Sequence, residues 1–310
     1  MSATLITGGA GFIGSHLAQR LIELGHSVRI LDNFSTGRRE NLSGFERDVE
    51  LIEGDIRDED TVRRAVEGVD VVLHEAALAS VPRSVESPAS SHDVNATGTL
   101  NVLIASRDAG VRRLVYASSS SVYGNTPSLP KREDMTPSPE SPYAVSKLAA
   151  EHYCGVFSSL YHIECVSLRY FNVFGPRQDP DSQYAAVVPL FVAALMRGER
   201  PIIYGDGEQS RDFTYVGSVV DANLAAIDSD GVAGEVLNVA CGRTTTVNVL
   251  LSALQGIVGT SIEARHVPER AGDVRHSFAD VTKAERLLGM TSRVPFEEAL
   301  ARTVEFYRPR

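Results

Sequence analysis

The chain has 310 residues, 43% of them hydrophobic and 23% charged, with a formal net charge of −10. This is ordinary globular composition, long enough for one large domain or two smaller ones. The acidic balance argues against nucleic acid as a partner, since phosphate contacts need Lys and Arg. No apolar run approaches the roughly 18 residues of a membrane span, so no membrane partner is expected either. Cys154, Cys165 and Cys241 lie far apart without CxxC spacing. An odd cysteine count and no charged leader imply reduced thiols and a cytoplasmic home. No metal site is expected.

In chain order, Ala3 to Ile6 is a short apolar run ending in the glycine-rich stretch 7–14. Ser15 to Leu24 has helical spacing through Leu17, Leu21 and Leu24, with Gly25 as its C-cap. Val28 to Leu31 reads as a second strand ending at Asp32, and Glu50 to Ile52 as a third, followed by Gly54-Asp55-Ile56. Glu59 to Val66 reads as helix, Val69 to His74 as a fourth strand and Ser90 to Ala109 as a long helix. Arg113 to Ala117 is a fifth strand with Ser118 to Gly124 as its loop; Pro142 to Tyr161 is helix and Cys165 to Tyr170 a sixth strand. Alternation at this spacing implies an α/β doubly wound parallel sheet with ligands at the strand C-termini. After Gly175, prolines 176, 180 and 189 break the rhythm, and shorter strands and helices are expected to form a smaller C-terminal lobe.

Gly8, Gly11 and Gly14 lie between a strand and a helix. Glycine there permits a tight turn and lets backbone N–H groups approach a pyrophosphate at the helix N-terminus. Asp32, eighteen residues after Gly14 and at the end of the next strand, suits an adenosine ribose diol and favours NAD over NADP. Arg38 and Arg39 read as surface residues beyond Gly37. Asp55, after strand three, is placed either against the adenine or as an ordinary turn residue.

Tyr143 and Lys147 are four residues apart and share a helix face. A cation beside a phenol favours phenolate, so the Tyr143 pKa is expected to fall toward working pH, as a general base requires. A serine of the run 118–121, at the end of strand five, can hydrogen-bond the same substrate hydroxyl.

With these residues in place, the chain resembles the extended short-chain dehydrogenase/reductase family, and within it the nucleotide-sugar 4-epimerases. The resemblance runs nearly end to end. It is carried by TGGAGFIG (7–14), DNFSTG (32–37), GDIRD (54–58), HEAALASVPRS (74–84), DVNATGTLNVL (93–103), SSSSVYG (118–124), PYAVSK (142–147), LRYFNVFGPRQ (168–178), YGDGEQSRDFTYV (204–216) and RAGDVRHSFAD (270–280). It implies a Rossmann domain over 1–174, holding NAD and joined by a returning segment near 213–242, with 175–310 mainly a substrate lobe.

The resemblance also implies residue roles. Ser119 orients the sugar 4-hydroxyl, Tyr143 is base and acid, and Lys147 holds the nicotinamide ribose. Phe12, Ile13, Asn33, Ser35, Thr36, Gly37, Ile56, Ala76, Ala77, Asn95, Ser118 and Tyr170 join Gly8, Gly11, Gly14, Asp32 and Asp55 around the cofactor. Ser84, Val187 and Tyr204 line the substrate, Asn172 meets its phosphate, Arg211 and Arg270 clamp the diphosphate, and Asp273 takes the uridine ribose. The implied chemistry is oxidation at C4 to a 4-keto sugar, its turnover in the site, and reduction on the opposite face. A homodimer formed through the helices near Ser90–Ala109 and Pro142–Tyr161 is also implied.

Within the family, dehydratases and decarboxylases carry an acidic residue in the strand-five loop, where this chain has Ser120 and Ser121. UDP-glucuronate epimerases tend to have Thr at the position of Asn172. The residue aligned with Ser277 gates the pocket near the sugar C2 substituent, and a small side chain leaves room for an N-acetyl group. The resemblance therefore points to UDP-GlcNAc/UDP-GalNAc 4-epimerisation, with UDP-Glc/UDP-Gal as additional substrates. UDP-glucose 4-epimerase alone, UDP-glucuronate 4-epimerase and a non-catalytic NAD-binding regulator are the alternatives. Ala79 stands where UDP-galactose epimerases commonly have Lys, which removes a cation near the cofactor.

Overall fold

The structure is a computed structural model that describes residues 3–182, 185–269, 275–290 and 294–308. Seven parallel strands form the central sheet: β1 (Ala3–Thr7), β2 (Ser27–Asp32), β3 (Val49–Glu53), β4 (Val71–His74), β5 (Arg113–Ser119), β6 (Glu164–Tyr170) and, much later in the chain, Val236–Val239. The sheet order is β3-β2-β1-β4-β5-β6 followed by the late strand. Order reverses between β1 and β4, so the loops leaving these two strands diverge and open a crevice.

Side chains alternate across the strands and divide the core. Ile6, Ile30, Leu73, Val115 and Leu168 face one layer, while Leu5, Leu31, Val72, Leu114 and Cys165 face the other. The second layer holds α2 (Glu59–Val66) together with α5 (Thr99–Asp108) and α6 (Pro142–Tyr161). Two short helices, α3 (Val81–Glu86) and α4 (Pro88–His92), precede α5. The first layer holds α1 (Phe12–Glu23), the later α8 (Val216–Asp228) and α10 (Thr282–Leu288). α8 packs on α1, and the late strand extends the sheet beyond β6, so residues 216–239 belong to this first core.

Ser90–Ala109, expected as one regular helix, is interrupted. A π-helical turn spans Asp93–Gly98 between α4 and α5. Inside it, Gly98 is pressed against Ile56, where a Cβ would come within 2.6 Å of the Ile56 Cδ1. Ser118 and Ser119 complete β5 rather than opening its loop, and Ser120–Tyr123 form a short 3-10 turn.

A second core gathers Phe174, Phe191, Leu195, Phe213, Leu250, Leu254 and Leu300 from α7 (Val187–Met196), α9 (Val247–Val258), α11 (Phe296–Tyr307) and their connections. The strands here are two or three residues long and pair only in twos: β7 (Val173–Phe174) with β10 (Thr214–Tyr215), β8 (Ile202–Tyr204) with β13 (Arg265–Val267), and β9 (Ser210–Arg211) with β12 (Thr245–Thr246). With the late strand counted as β11, these complete the β elements among the described residues. The expected shortening applies to these strands and not to the helices, since α9 and α11 have the same twelve residues as α1. Among the described residues, no helix is long and apolar enough to cross a membrane.

Candidate active site

The crevice at the β1/β4 switch is a groove of about 910 Å³, within the range of roughly 300–1,000 Å³ typical of small-molecule sites. The sequence-predicted cofactor residues Gly8, Gly11, Phe12, Ile13, Gly14, Asp32, Asn33, Ser35, Thr36, Gly37, Asp55, Ile56, Ala76 and Ala77 all line it. They come from the loops that follow β1, β2, β3 and β4.

The glycines are sterically required. Gly8 has φ +71°, and a Cβ there would lie 2.8 Å from the backbone of Ala76. A Cβ on Gly14 would lie 2.3 Å from the carbonyl oxygen of Gly8. Gly11 caps α1 without any side-chain hydrogen bond, leaving the first helical turn bare. Bare N–H groups at a helix start are an anion site. A dinucleotide with a central pyrophosphate therefore fits this groove.

Asp32 is nearly buried and shapes the loop around it. It accepts hydrogen bonds from the backbone N–H groups of Ala10 at 2.9 Å and Phe34 at 2.8 Å. Burial pushes its pKa up, against these hydrogen bonds. Asp55 is held by the guanidinium of Arg57 at 2.8 Å and by the amide of Asn33 at 2.7 Å. Its hydrogen bond with Arg57 lowers its pKa to about 2, so it is an anion at any working pH. Arg38, read from sequence as a plain surface residue, lines the groove and pairs with Asp179 at 2.5 Å.

The Ser119, Tyr143, Lys147 set assembles where β5 ends against α6. Ser119 terminates β5, and its hydroxyl accepts from the Ser121 N–H at 3.1 Å and lies 2.8 Å from the Ser121 hydroxyl. Tyr143 enters from the first turn of α6, which Ser141 caps by accepting from the Ala144 N–H. Ser119 lies close enough to the Tyr143 hydroxyl to act against the rise in its pKa. One turn on, the Lys147 ammonium donates to the Ala117 carbonyl at 2.8 Å and sits 5.0 Å from the Tyr116 ring centroid.

The electrostatics correct one sequence expectation. Tyr143 keeps some exposed surface, yet desolvation of its hydroxyl outweighs the stabilising influence of Ser119 and raises its pKa. The expected fall is absent in the protein by itself. Desolvation also lowers the pKa of Lys147 to about 8.

Other predicted residues are engaged inside the protein. Asn95 accepts from the Leu78 N–H at 2.8 Å and donates to Leu78, Ser91 and Ser146, which fixes the groove wall at Leu78 to α6. Ser118 donates to Glu151, which forms a buried ion pair with Arg169. Ser84 is buried and donates to the Val81 carbonyl of its own helix. Tyr170 donates to Glu75 at 2.8 Å and accepts from Asn223 at 2.7 Å. Asn172 is exposed with φ +33°, and its amide donates to the Asp212 carbonyl.

In the second lobe, Arg211 on β9 donates to the carbonyls of Ser210 and Arg275, while the Ser277 N–H donates to the Ser210 carbonyl at 3.1 Å. β9 thus brings Arg211 and Ser277 together. Tyr204 ends β8, where its carbonyl accepts from Gln209, and Val187 opens α7. Arg270 and Asp273 lie outside the described residues.

Glu75 was not singled out from sequence, although it sits inside the 74–84 stretch. It lines the groove beside Ala76. A carboxylate at a strand C-terminus, in the position that Asp32 holds on β2, was the available signal.

A switch-point groove with this glycine loop, joined to a Ser–Tyr–Lys cluster, defines a dinucleotide-binding Rossmann enzyme. The chain belongs to the NAD dependent epimerase/dehydratase family, whose model matches residues 4–240, and its cofactor is NAD. It is 43% identical over 309 residues to a UDP-glucose 4-epimerase of Mycolicibacterium smegmatis, covering 98% of each chain. A UDP-N-acetylglucosamine 4-epimerase from Methanobrevibacter ruminantium M1, solved with UDP-N-acetylmuramic acid, superposes with a TM-score of 0.95 at 40% identity, covering 99% of this chain and 98% of that one. A UDP-glucose 4-epimerase from Thermotoga maritima, solved with UDP-glucose, gives 0.94 at 41%, covering 98% of both.

Proposed function

We propose that the chain is a UDP-hexose 4-epimerase that interconverts UDP-GlcNAc and UDP-GalNAc, and also accepts UDP-Glc and UDP-Gal. The observation that carries the epimerase reading is the gathering of Ser119, Tyr143 and Lys147 where β5 ends against α6, with Lys147 fixed on Ala117 one helical turn from Tyr143, in a family whose relatives include 4-epimerases. A non-catalytic regulator has no use for such a base.

NAD held along the 8–14 loop, with its ribose toward Asp32, supplies the acceptor and donor of hydride at the sugar C4. The chain's own residues handle the proton and the positioning. Ser119 orients the 4-hydroxyl, and Tyr143 takes its proton and later returns it. Lys147, fixed by Ala117, keeps a positive charge beside the cofactor's ribose and the phenol. Arg211 holds the diphosphate, so the sugar can present either face while its anchor stays in place.

The acetylated substrate is favoured by the small side chain of Ser277, whose backbone is bonded to Ser210 on the strand that carries Arg211. A UDP-glucose-only enzyme is the second reading, favoured by the Mycolicibacterium relative. A second copy of the chain fits the exposed stripe Val145, Tyr153, Val156 and Leu160 on α6, which supports a homodimer. Free thiols at Cys154, Cys165 and Cys241 suit a cytoplasmic setting.

The test is to incubate the protein and NAD separately with UDP-GlcNAc, UDP-Glc and UDP-GlcA and identify products by NMR. Formation of UDP-GalNAc is expected. Conversion of UDP-Glc alone would keep the chemistry and remove the acetylated substrate. No conversion, with NAD bound, would sink the epimerase reading.

A further inference from the structure

Glu75 is a carboxylate at the end of β4 that the chemistry above does not use. It lines the groove immediately before Ala76. The groove has a direction. Asp32 and Asp55 mark its adenosine end and the 8–14 loop its phosphate centre, and past Glu75, within reach of its charge, lie Tyr143 and Lys147 of the cluster where hydride must move. Glu75 belongs to that side. It accepts a hydrogen bond at 2.8 Å from Tyr170, the last residue of β6, and feels the charge of Lys147. Tyr170 in turn accepts from the Asn223 amide at 2.7 Å, so β6 and α8 together hold the carboxylate in place.

The oxidised nicotinamide ring carries a positive charge that disappears when hydride is added. A fixed negative charge beside it favours the oxidised form, and a dry site magnifies the effect. We propose that Glu75 is the fixed counter-charge to the oxidised nicotinamide, held by the Asn223–Tyr170 hydrogen-bond chain, and that it biases the bound cofactor toward its oxidised state. The role rests on the family's cofactor and is independent of which sugar is turned over. It serves an enzyme whose cofactor must be oxidised whenever substrate arrives.

The counter-charge depends on pH. The groups around Glu75 are Tyr170 from β6, Tyr116 from β5, and Tyr143 and Lys147 from α6, with His74 preceding it on β4. His74 is neutral, since burial pushes its pKa down to about 3. Burial raises the pKa of Glu75 to about 7, against the Tyr170 hydrogen bond and Lys147. The carboxylate is therefore charged above about pH 7 and neutral below it.

The experiment equilibrates holoenzyme, freed of unbound cofactor, with a redox couple and reads bound reduced nicotinamide by its absorbance. Well above the Glu75 pKa, Glu75→Gln should raise the ratio of reduced to oxidised cofactor about tenfold over wild type, the effect of one pKa unit's worth of interaction. Well below that pKa the two proteins should agree. Tyr170→Phe removes the donor that stabilises the anion, so the pH at which wild-type behaviour sets in should move up. If Glu75→Gln releases the cofactor, the ratio of its affinities for the oxidised and reduced forms measures the same quantity. Equal ratios in wild type and Glu75→Gln at every pH, with cofactor bound, would overturn the role of Glu75 alone. A wild-type protein that holds neither form of the cofactor would overturn the NAD reading of the groove as well.

Discussion

The Lys147 ammonium donates to the carbonyl oxygen of Ala117 at 2.8 Å, which ties the second turn of α6 to β5 two residues before the strand ends. This bond places a positive charge at the mouth of the sheet without an ion-pair partner in contact among the described residues. Burial lowers the Lys147 pKa to about 8, so the cation is present below that pH and lost above it. Turnover should therefore fall on the alkaline side of about pH 8. A pH–rate profile of kcat checks this, and a profile still flat well beyond that point would show that Lys147 keeps its proton in the loaded site.

Tyr143 begins with a raised pKa. Losing its proton creates an anion, so a positive charge arriving nearby must lower that pKa. Oxidised NAD brings one. The tyrosinate absorbance that separates wild type from Tyr143→Phe should titrate at lower pH once NAD is bound. Tyr143→Phe itself should cost at least about 100-fold in turnover while retaining the cofactor. If binding NAD leaves the titration unmoved, the base is a different group.

Gly14→Ala should empty the groove. The added methyl would lie 2.3 Å from the Gly8 carbonyl oxygen and 2.8 Å from the Gly9 Cα, both backbone atoms that cannot step aside. Loss of copurifying NAD, with the far-ultraviolet dichroism unchanged, is the expected result. Normal NAD content would mean that the loop has more give than its packing shows.

Ser277→Tyr should abolish conversion of the acetylated sugars and spare the plain hexoses. The Ser277 backbone is held to Ser210 at 3.1 Å, so a larger side chain cannot retreat by moving the strand. Separate kcat/KM values for UDP-GlcNAc and UDP-Glc decide the matter. Equal losses on both would remove the gate.

What was readable in the sequence follows from local rules. Gly8, Gly11, Gly14 and Asp32 announce themselves because a strand–turn–helix needs small residues in fixed places, and the structure puts all four on one groove. Tyr143 and Lys147 share a face because helix geometry demands it. Long-range relations were not visible. Glu75 meets Tyr170 across 95 residues, and Arg38 meets Asp179 across 141. The π turn at Asp93–Gly98 leaves no mark on the residue types of a segment read as one helix. The Tyr143 pKa went the other way because the i, i+4 rule speaks of neighbouring charge and says nothing of desolvation. The resemblance places Ser118 at the cofactor, while strand alternation commits its hydroxyl to Glu151.

The return of α8 and β11 to the first core has a practical consequence. Cutting the chain after residue 174 would strip β6 of its neighbour along Ser167–Tyr170 and uncover Val166 and Leu168, which are fully buried in the intact protein. An apolar strand with free N–H and C=O groups recruits other strands. A fragment ending there should precipitate when expressed, whereas a break in the chain that keeps both pieces present has the means to heal.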